Sequence, residues 1–350
     1  MSMTDVTVDE TLRPWQIDEA DFPVGGMTAD LFRFVVGYGV LAPSSHNSQP
    51  WRFRVDDAHL DVYADWSRSL PVVDPGDREL TISCGAAVEH IRLALAHSGY
   101  RCTVDHLPAP KDPALLARIA LAGSAPATSG DEQLFKQIVR RRTNRGAFHV
   151  RPVEAETLRQ LQDDATVAGA WLHVVQTAMG RMAVAQLVAR GDLAQMHDSA
   201  FRRELADWVR GNHSGRADGI RGYGLGLGDL HSMVEPTVIR RFDVGPGRAA
   251  DDRELAEASP ALAVLGTDRD DQDSWLRAGI GLARLLLRAR AHDVWASFLN
   301  QPVEVPELRE ELAAMVRRPG SPQLVLRLGY GTAPVLPEPR RPVSDVLTVD

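Results

Sequence analysis

Cysteine and lysine are nearly missing from this chain. Its two cysteines, Cys84 and Cys102, match no metal-ligand spacing and are too few for a disulfide framework at 350 residues, so both are expected as core thiols. Only two lysines, Lys111 and Lys136, stand among the 39 basic residues. Nearly every cation is thus an arginine, whose planar fork suits phosphate, although a GC-rich genome is the plainer reason. An excess of positive charge is also lacking. The formal net charge of −8 offers no electrostatic footprint to nucleic acid, which is excluded as a main partner. Long hydrophobic runs are absent as well: the most apolar segment, Gly279 to Val294, is broken by Arg284, Arg288 and Arg290 and cannot span a bilayer. The acidic start MSMTDVTVDE lacks the basic-then-apolar order of a secretory signal, so a cytoplasmic protein without membrane contact is expected. What is present, 44% hydrophobic and 25% charged residues, is the composition of an ordinary globular protein.

Periodicity organises the chain into two similar halves. Leu31, Phe34, Val35 and Tyr38 recur at helical spacing over Thr28 to Leu41, with Ala42-Pro43 as the stop. Trp51 to Val55 and Leu60 to Tyr63 read as a hairpin, Thr81 to His97 as a helix ended by Gly99, and Arg101 to Leu107 as a strand. The Pro- and Ala-rich stretch from Pro108 to Gly130 is expected to hold a short helix and a linker. Beyond it, helices over Asp131 to Arg142 and Ala155 to Ala165 precede a strand, Trp171 to Val175. The helix segment Gly85 to Ala96 matches Gly279 to Arg290 at a constant offset of 194 residues, and Trp51 to Val55 lines up with Trp171 to Val175. A diverged two-copy repeat of this length suggests a fused pseudo-dimer with an approximate two-fold axis.

Three segments carry candidate chemistry. Ala42-Pro43-Ser44-Ser45-His46-Asn47-Ser48-Gln49-Pro50-Trp51 sets hydroxyl and amide groups between prolines, a rigid loop able to hydrogen-bond a flat polar heterocycle; taken alone it also reads as a helix cap and a turn. Arg140-Arg141-Arg142-Thr143-Asn144-Arg145 gathers four arginines in six residues, which repel one another unless an anion or solvent neutralises them. A solvated basic helix end is the other reading. Pro337-Glu338-Pro339-Arg340-Arg341-Pro342-Val343 follows a strand, Gln323 to Leu328, and holds two more arginines in an extended segment. Six glycines fall between Asn212 and Met233. They do not follow the order of a dinucleotide-binding loop, and a lid or a disordered segment are the two expectations. The scattered His46, His90, His97 and His231 have no ligand or triad spacing and are expected as surface or core residues.

Together the three segments resemble the nitroreductase-like flavoproteins: residues 42–51 are similar to that family's flavin-ring loop, Arg141 to Arg145 to its phosphate motif, and Leu328 to Val343 to its C-terminal signature. The doubled layout resembles the tandem, Acg-type proteins of actinobacteria. The resemblance implies an α+β nitroreductase-like fold in which two tandem diverged copies form an intramolecular pseudo-dimer around central antiparallel or mixed sheets. It implies an N-terminal extension at 1–27, a first half at 28–125, and a second half at 126–350, which includes the glycine-rich stretch at 212–233 read above as a lid or a disordered segment. The cofactor would be flavin mononucleotide (FMN), held by Pro43, Ser44, Ser45, Asn47 and Gln49 from the first half and Arg141, Arg142, Thr143, Arg145, Arg340 and Arg341 from the second. Neither Thr11 to Trp15 nor Ala165 to Ala170 repeats these motifs at the reciprocal position, so one FMN per chain is expected. The implied function is hydride transfer from NAD(P)H to FMN and on to a nitroaromatic, quinone or related small-molecule acceptor, the flavin carrying the chemistry with no catalytic side chain and no metal. The alternative is a flavin-sequestering protein with little turnover. A monomer is expected, because a fused chain already contains the family's subunit interface.

Overall fold

The computed structural model describes residues 9–350; the acidic start and the first part of the expected 1–27 extension lie largely outside them. Helix α1 (Thr28–Gly39) buries Leu31, Phe32, Val35 and Val36 along one face. Strand β1 (Trp51–Val55) alternates, with Trp51, Phe53 and Val55 inward and Arg52 and Arg54 outward. The Asp56 carboxylate accepts the Ala58 and His59 N–H groups and so turns β1 into β2 (His59–Ala64). Helix α2 (Arg78–His97) starts three residues earlier than its apolar face suggests, because the Asp74 carboxylate accepts the N–H groups of Arg78 and Leu80. Strand β3 (Tyr100–His106) follows. Leu115–Ser124 then forms β4 and not the expected short helix and linker: paired with β2 on one side and β3 on the other, it gains two ladders that override the helical preference of its Leu and Ala residues.

The second half opens with α3 (Ser129–Phe135), shorter than the expected 131–142, after which a 3-10 turn hands the chain to an extended backbone at Arg141. Then come α4 (Ala155–Val167) and β5 (Trp171–Val175). Where the first half has a tight hairpin turn, the second inserts α5 (Ala178–His197), α6 (Ser199–Trp208), the two-residue strands β6 (Val209–Arg210) and β7 (Ile220–Arg221), α7 (Asp229–Arg241) and α8 (Gly245–Ala258). Strand β8 (Ala261–Thr267), α9 (Gln272–Ala291), β9 (Val294–Phe298), α10 (Gln301–Glu304), α11 (Pro306–Val316), β10 (Ser321–Tyr330) and β11 (Leu347–Val349) complete the chain.

Two principal sheets result, ordered β11-β1-β2-β4-β3 and β5-β8-β10-β9. Apart from β11 they correspond strand for strand, all neighbours being antiparallel, which is the tandem α+β architecture expected. Helices α2 and α9 pack between the sheets. A methyl group on Gly85 would lie 2.2 Å from the Leu276 carbonyl oxygen, and one on Gly279 would lie 2.0 Å from that of Ile82. Both contacts keep the 194-residue offset, so the helices meet as an isologous pair across an internal two-fold axis. Although β11 falls within the expected second half, it pairs in parallel with β1 of the first sheet. Both cysteines are free thiols, with Cys84 buried. Among the described residues no helix is long and apolar enough to cross a membrane.

Candidate functional site

A cavity of about 540 Å³ lies where the halves meet, bounded by the loop before β1, the start of α2, the arginine segment after α3, β10 and the inserted helices. This volume is within the usual range for a cofactor site. The loop is held in an unusual backbone shape: His46, Asn47 and Gln49 have φ of 53°, 53° and 52°, a left-handed conformation that costs a non-glycine residue on the order of 1–3 kcal/mol. Specific bonds hold it. The Gln49 N–H donates to Ser44 Oγ at 2.9 Å. Asn47 Nδ2 donates to the carbonyls of Gly219 and Pro339 while its Oδ1 accepts from Arg340 Nη1 at 2.7 Å. Ser45 Oγ donates to Glu79 Oε2 at 2.5 Å.

Buried guanidinium groups pack directly against this loop and the residues leading into it. Arg141 is 3% exposed, donates only to the Leu41 carbonyl, and leaves Nε without a partner. Arg340, equally buried, donates to Asn47 and to the Pro339 and Ala42 carbonyls, and its Nε is also unpartnered. Burial, reinforced by Arg340 and Arg142, pulls the Arg141 pKa well below its ordinary value. Burial likewise lowers Arg340 to about 9, against the attraction of Glu338. Buried charges are normally paired, and no carboxylate pairs with Arg141 among the described residues. A doubly charged anion accepting several guanidinium donors would supply that pairing.

Eight of the eleven candidate residues line this cavity: Pro43, Ser44, Ser45, Asn47, Arg141, Thr143, Arg145 and Arg340. Gln49, Arg142 and Arg341 do not. Gln49 is fully buried behind the loop, donating to the Ala217 carbonyl and accepting the Arg341 N–H. Arg142 stacks over the Trp15 ring at 3.7 Å, a cation–π contact, while Trp15 Nε1 donates to the Glu338 carbonyl. Arg341 donates to the carbonyls of Gln49 and Asp345. These three shape the loop and the C-terminal segment from behind.

Other wall residues were not anticipated. Arg327, 1% exposed on β10, bonds only to the Asn144 carbonyl and leaves Nε and Nη1 unpartnered; the one sequence signal was a single charge inside the apolar run Leu324 to Leu328. Arg248 comes from α8 with no such signal. His46, expected as a surface or core residue, lines the wall, and burial together with Arg145 and Arg248 lowers its pKa to about 4, so the ring is neutral. The glycine-rich segment lies over the cavity through Ile220, Leu225 and Leu227. It is tied down by the Gly219 N–H to the Asn47 carbonyl, by Arg221 N–H to Glu338, and by Tyr223 Oη to the Pro337 carbonyl. Gly224 has a geometric reason, because a methyl group there would lie 2.1 Å from Glu338 Oε1.

No family model matches the chain. A protein of Mycobacterium tuberculosis named "Putative NAD(P)H nitroreductase" is 34% identical over 324 residues, covering 91% of each chain. The chain belongs to the nitroreductase-like family. A second M. tuberculosis relative, "Putative NAD(P)H nitroreductase acg", is 29% identical over 330 residues, covering 92% of this chain and 97% of its own, in keeping with the Acg type. Among solved structures, the FMN-dependent nitroreductase NfnB from Mycobacterium smegmatis in complex with NADPH is 19% identical, with a TM-score of 0.36, covering 58% of this chain and 88% of that one. Within the family, the loop at 43–47 and the arginines at 141, 145 and 340 are the residues that the resemblance implied for the cofactor, and here one cavity gathers them.

Proposed function

We propose that this protein is an FMN-dependent oxidoreductase that draws on NAD(P)H and reduces a small-molecule acceptor such as a nitroaromatic or quinone. The observation that carries the reading is the convergence on one cavity of Ser44, Ser45 and Asn47 with Arg141, Thr143, Arg145 and Arg340, segments far apart in the chain that bring together the buried, unpartnered Nε atoms of Arg141 and Arg340; Arg145 there pairs with Glu338 at 3.3 Å. Arg141, Arg145, Arg340 and the Thr143 hydroxyl would hold the phosphate; the loop at 43–47 would offer its backbone and hydroxyl groups to the polar edge of the ring. When bound, FMN supplies the capacity to accept a hydride and pass electrons on. The protein's part is to orient, to exclude water beneath the segment at 212–233, and to set the charge around the ring. We read that segment as a lid, 28–125 and 126–350 as the two halves, 1–27 as an extension, and the fused chain as a monomer.

The test is the visible spectrum of the purified chain reconstituted with FMN, before and after anaerobic NADPH. Bound flavin that bleaches is expected. Bound flavin that stays yellow would favour sequestration, and failure to retain flavin would overturn the proposal.

A further inference from the structure

The cavity has a second end of opposite chemistry. Asp192 and Gln195 from α5, Asp252 from α8, and Gln301 and Glu304 from α10 line it. These helices have no counterpart in the first half, where the β1–β2 and β3–β4 connections carry none. The side chains are tied to one another: Gln301 Nε2 donates to Asp192 Oδ1 at 3.0 Å and to Asp252 Oδ2 at 2.9 Å, and Gln195 Nε2 donates to Glu304 Oε2 at 2.6 Å. Two acceptors are left over. Asp192 is 3% exposed, yet its Oδ2 has no donor, and neither has Gln301 Oε1. Arg248 lies near enough to stabilise the Asp192 and Asp252 carboxylates through space, and Arg327 the Asp252 carboxylate, but among the described residues neither guanidinium forms an ion pair with them, while Arg78 is engaged with Glu79. Among the described residues no carboxylate group is arranged to hold a metal ion. A buried acceptor without a donor costs about 1–3 kcal/mol, so this end calls for a ligand that brings N–H donors, which are strongest on a cationic nitrogen facing carboxylates.

We infer that Asp192, Asp252 and the Gln301 carboxamide oxygen form a subsite for a protonated amine or amidine carried by the electron acceptor. The inference rests on the flavin reading for the identity of the ligand as an acceptor, not for the subsite itself. The arginine end takes the anionic cofactor, and the carboxylate end selects acceptors bearing a cationic nitrogen over neutral ones of the same shape.

Calorimetric titration of the whole chain, with and without FMN, tests this with benzamidine as the cation and benzyl alcohol as the neutral comparison. Benzamidine is expected to bind the FMN-loaded protein at least tenfold more tightly than benzyl alcohol, and Asp192→Asn to weaken it at least tenfold. Absence of binding, equal affinity for the two probes, binding unchanged in the variant, or mutual exclusion of benzamidine and FMN would each overturn the subsite. The probe comparison on the wild-type chain stands even should the variant fail to fold. Asp192-dependent binding by a chain that takes no FMN would support the subsite while removing the flavin reading.

Discussion

Arg141 and Arg145 are the residues on which the phosphate assignment turns. Replacing either with Ala should weaken FMN binding by about 1.5–3 kcal/mol, the scale of a charge-assisted hydrogen bond, measured by fluorescence titration; unchanged affinity in both would sink the assignment. Asp192 yields a pH prediction. Burial, with Asp252 beside it, pushes its pKa up to about 7, above the ~3.9 of an unfolded aspartate. Its stabilising contribution is therefore full below the unfolded value and fades as pH rises through the folded one. Asp252 and Arg248 from α8 and Gln301 from α10 are its neighbours. Asp192→Asn, whose amide can donate to Asp252, should gain on the ligand-free wild type in thermal midpoint as pH goes from 5 to 8; a constant difference would refute this. The loop and the arginines were legible because their residue types sit at short, fixed spacings. Gln49 lies behind the loop and not on the cavity wall, in a stretch with positive φ at 46, 47 and 49 that no local pattern encodes. Arg327 and Asp192 went unread because only the fold brings them to the wall.

At the scale of elements, the α2–α9 contact is the most sensitive joint. Gly85→Ala drives a methyl group against backbone at Leu276, and because a carbonyl cannot rotate aside, the helices must part. A loss of about 1–3 kcal/mol or more is expected, read from urea unfolding, whereas Gly76→Ala, with open space around it, should stay within about 0.5 kcal/mol. A similar cost for both would contradict the joint. This pairing was foreshadowed by the 194-residue repeat, since residues matched in sequence become partners across a two-fold axis. Strand β4 was not foreshadowed. Its Leu- and Ala-rich sequence satisfies helix and strand alike, and the decision comes from β2 and β3, strands from elsewhere in the chain.

For the whole molecule, the pseudo-symmetry is broken where it bears on function. Asp273 stands at the same 194-residue offset from Glu79, but it binds His106 Nδ1 at 2.8 Å and Arg277 Nε at 2.9 Å, with no counterpart of the serine loop beside it. One FMN per 38.3 kDa chain is therefore expected from flavin absorbance against protein concentration, and two would overturn the one-site reading. The repeat could be seen in the sequence, but the homeward path of the C-terminus could not: Arg340 N–H meets the Thr11 carbonyl and Phe53 pairs with Leu347 only in the finished fold. That path has a consequence for synthesis. The first sheet lacks its edge strand, and the cavity lacks Arg340, until residues 340–349 have left the ribosome. Once closed, the two halves share one covalent chain, so dilution alone cannot separate them.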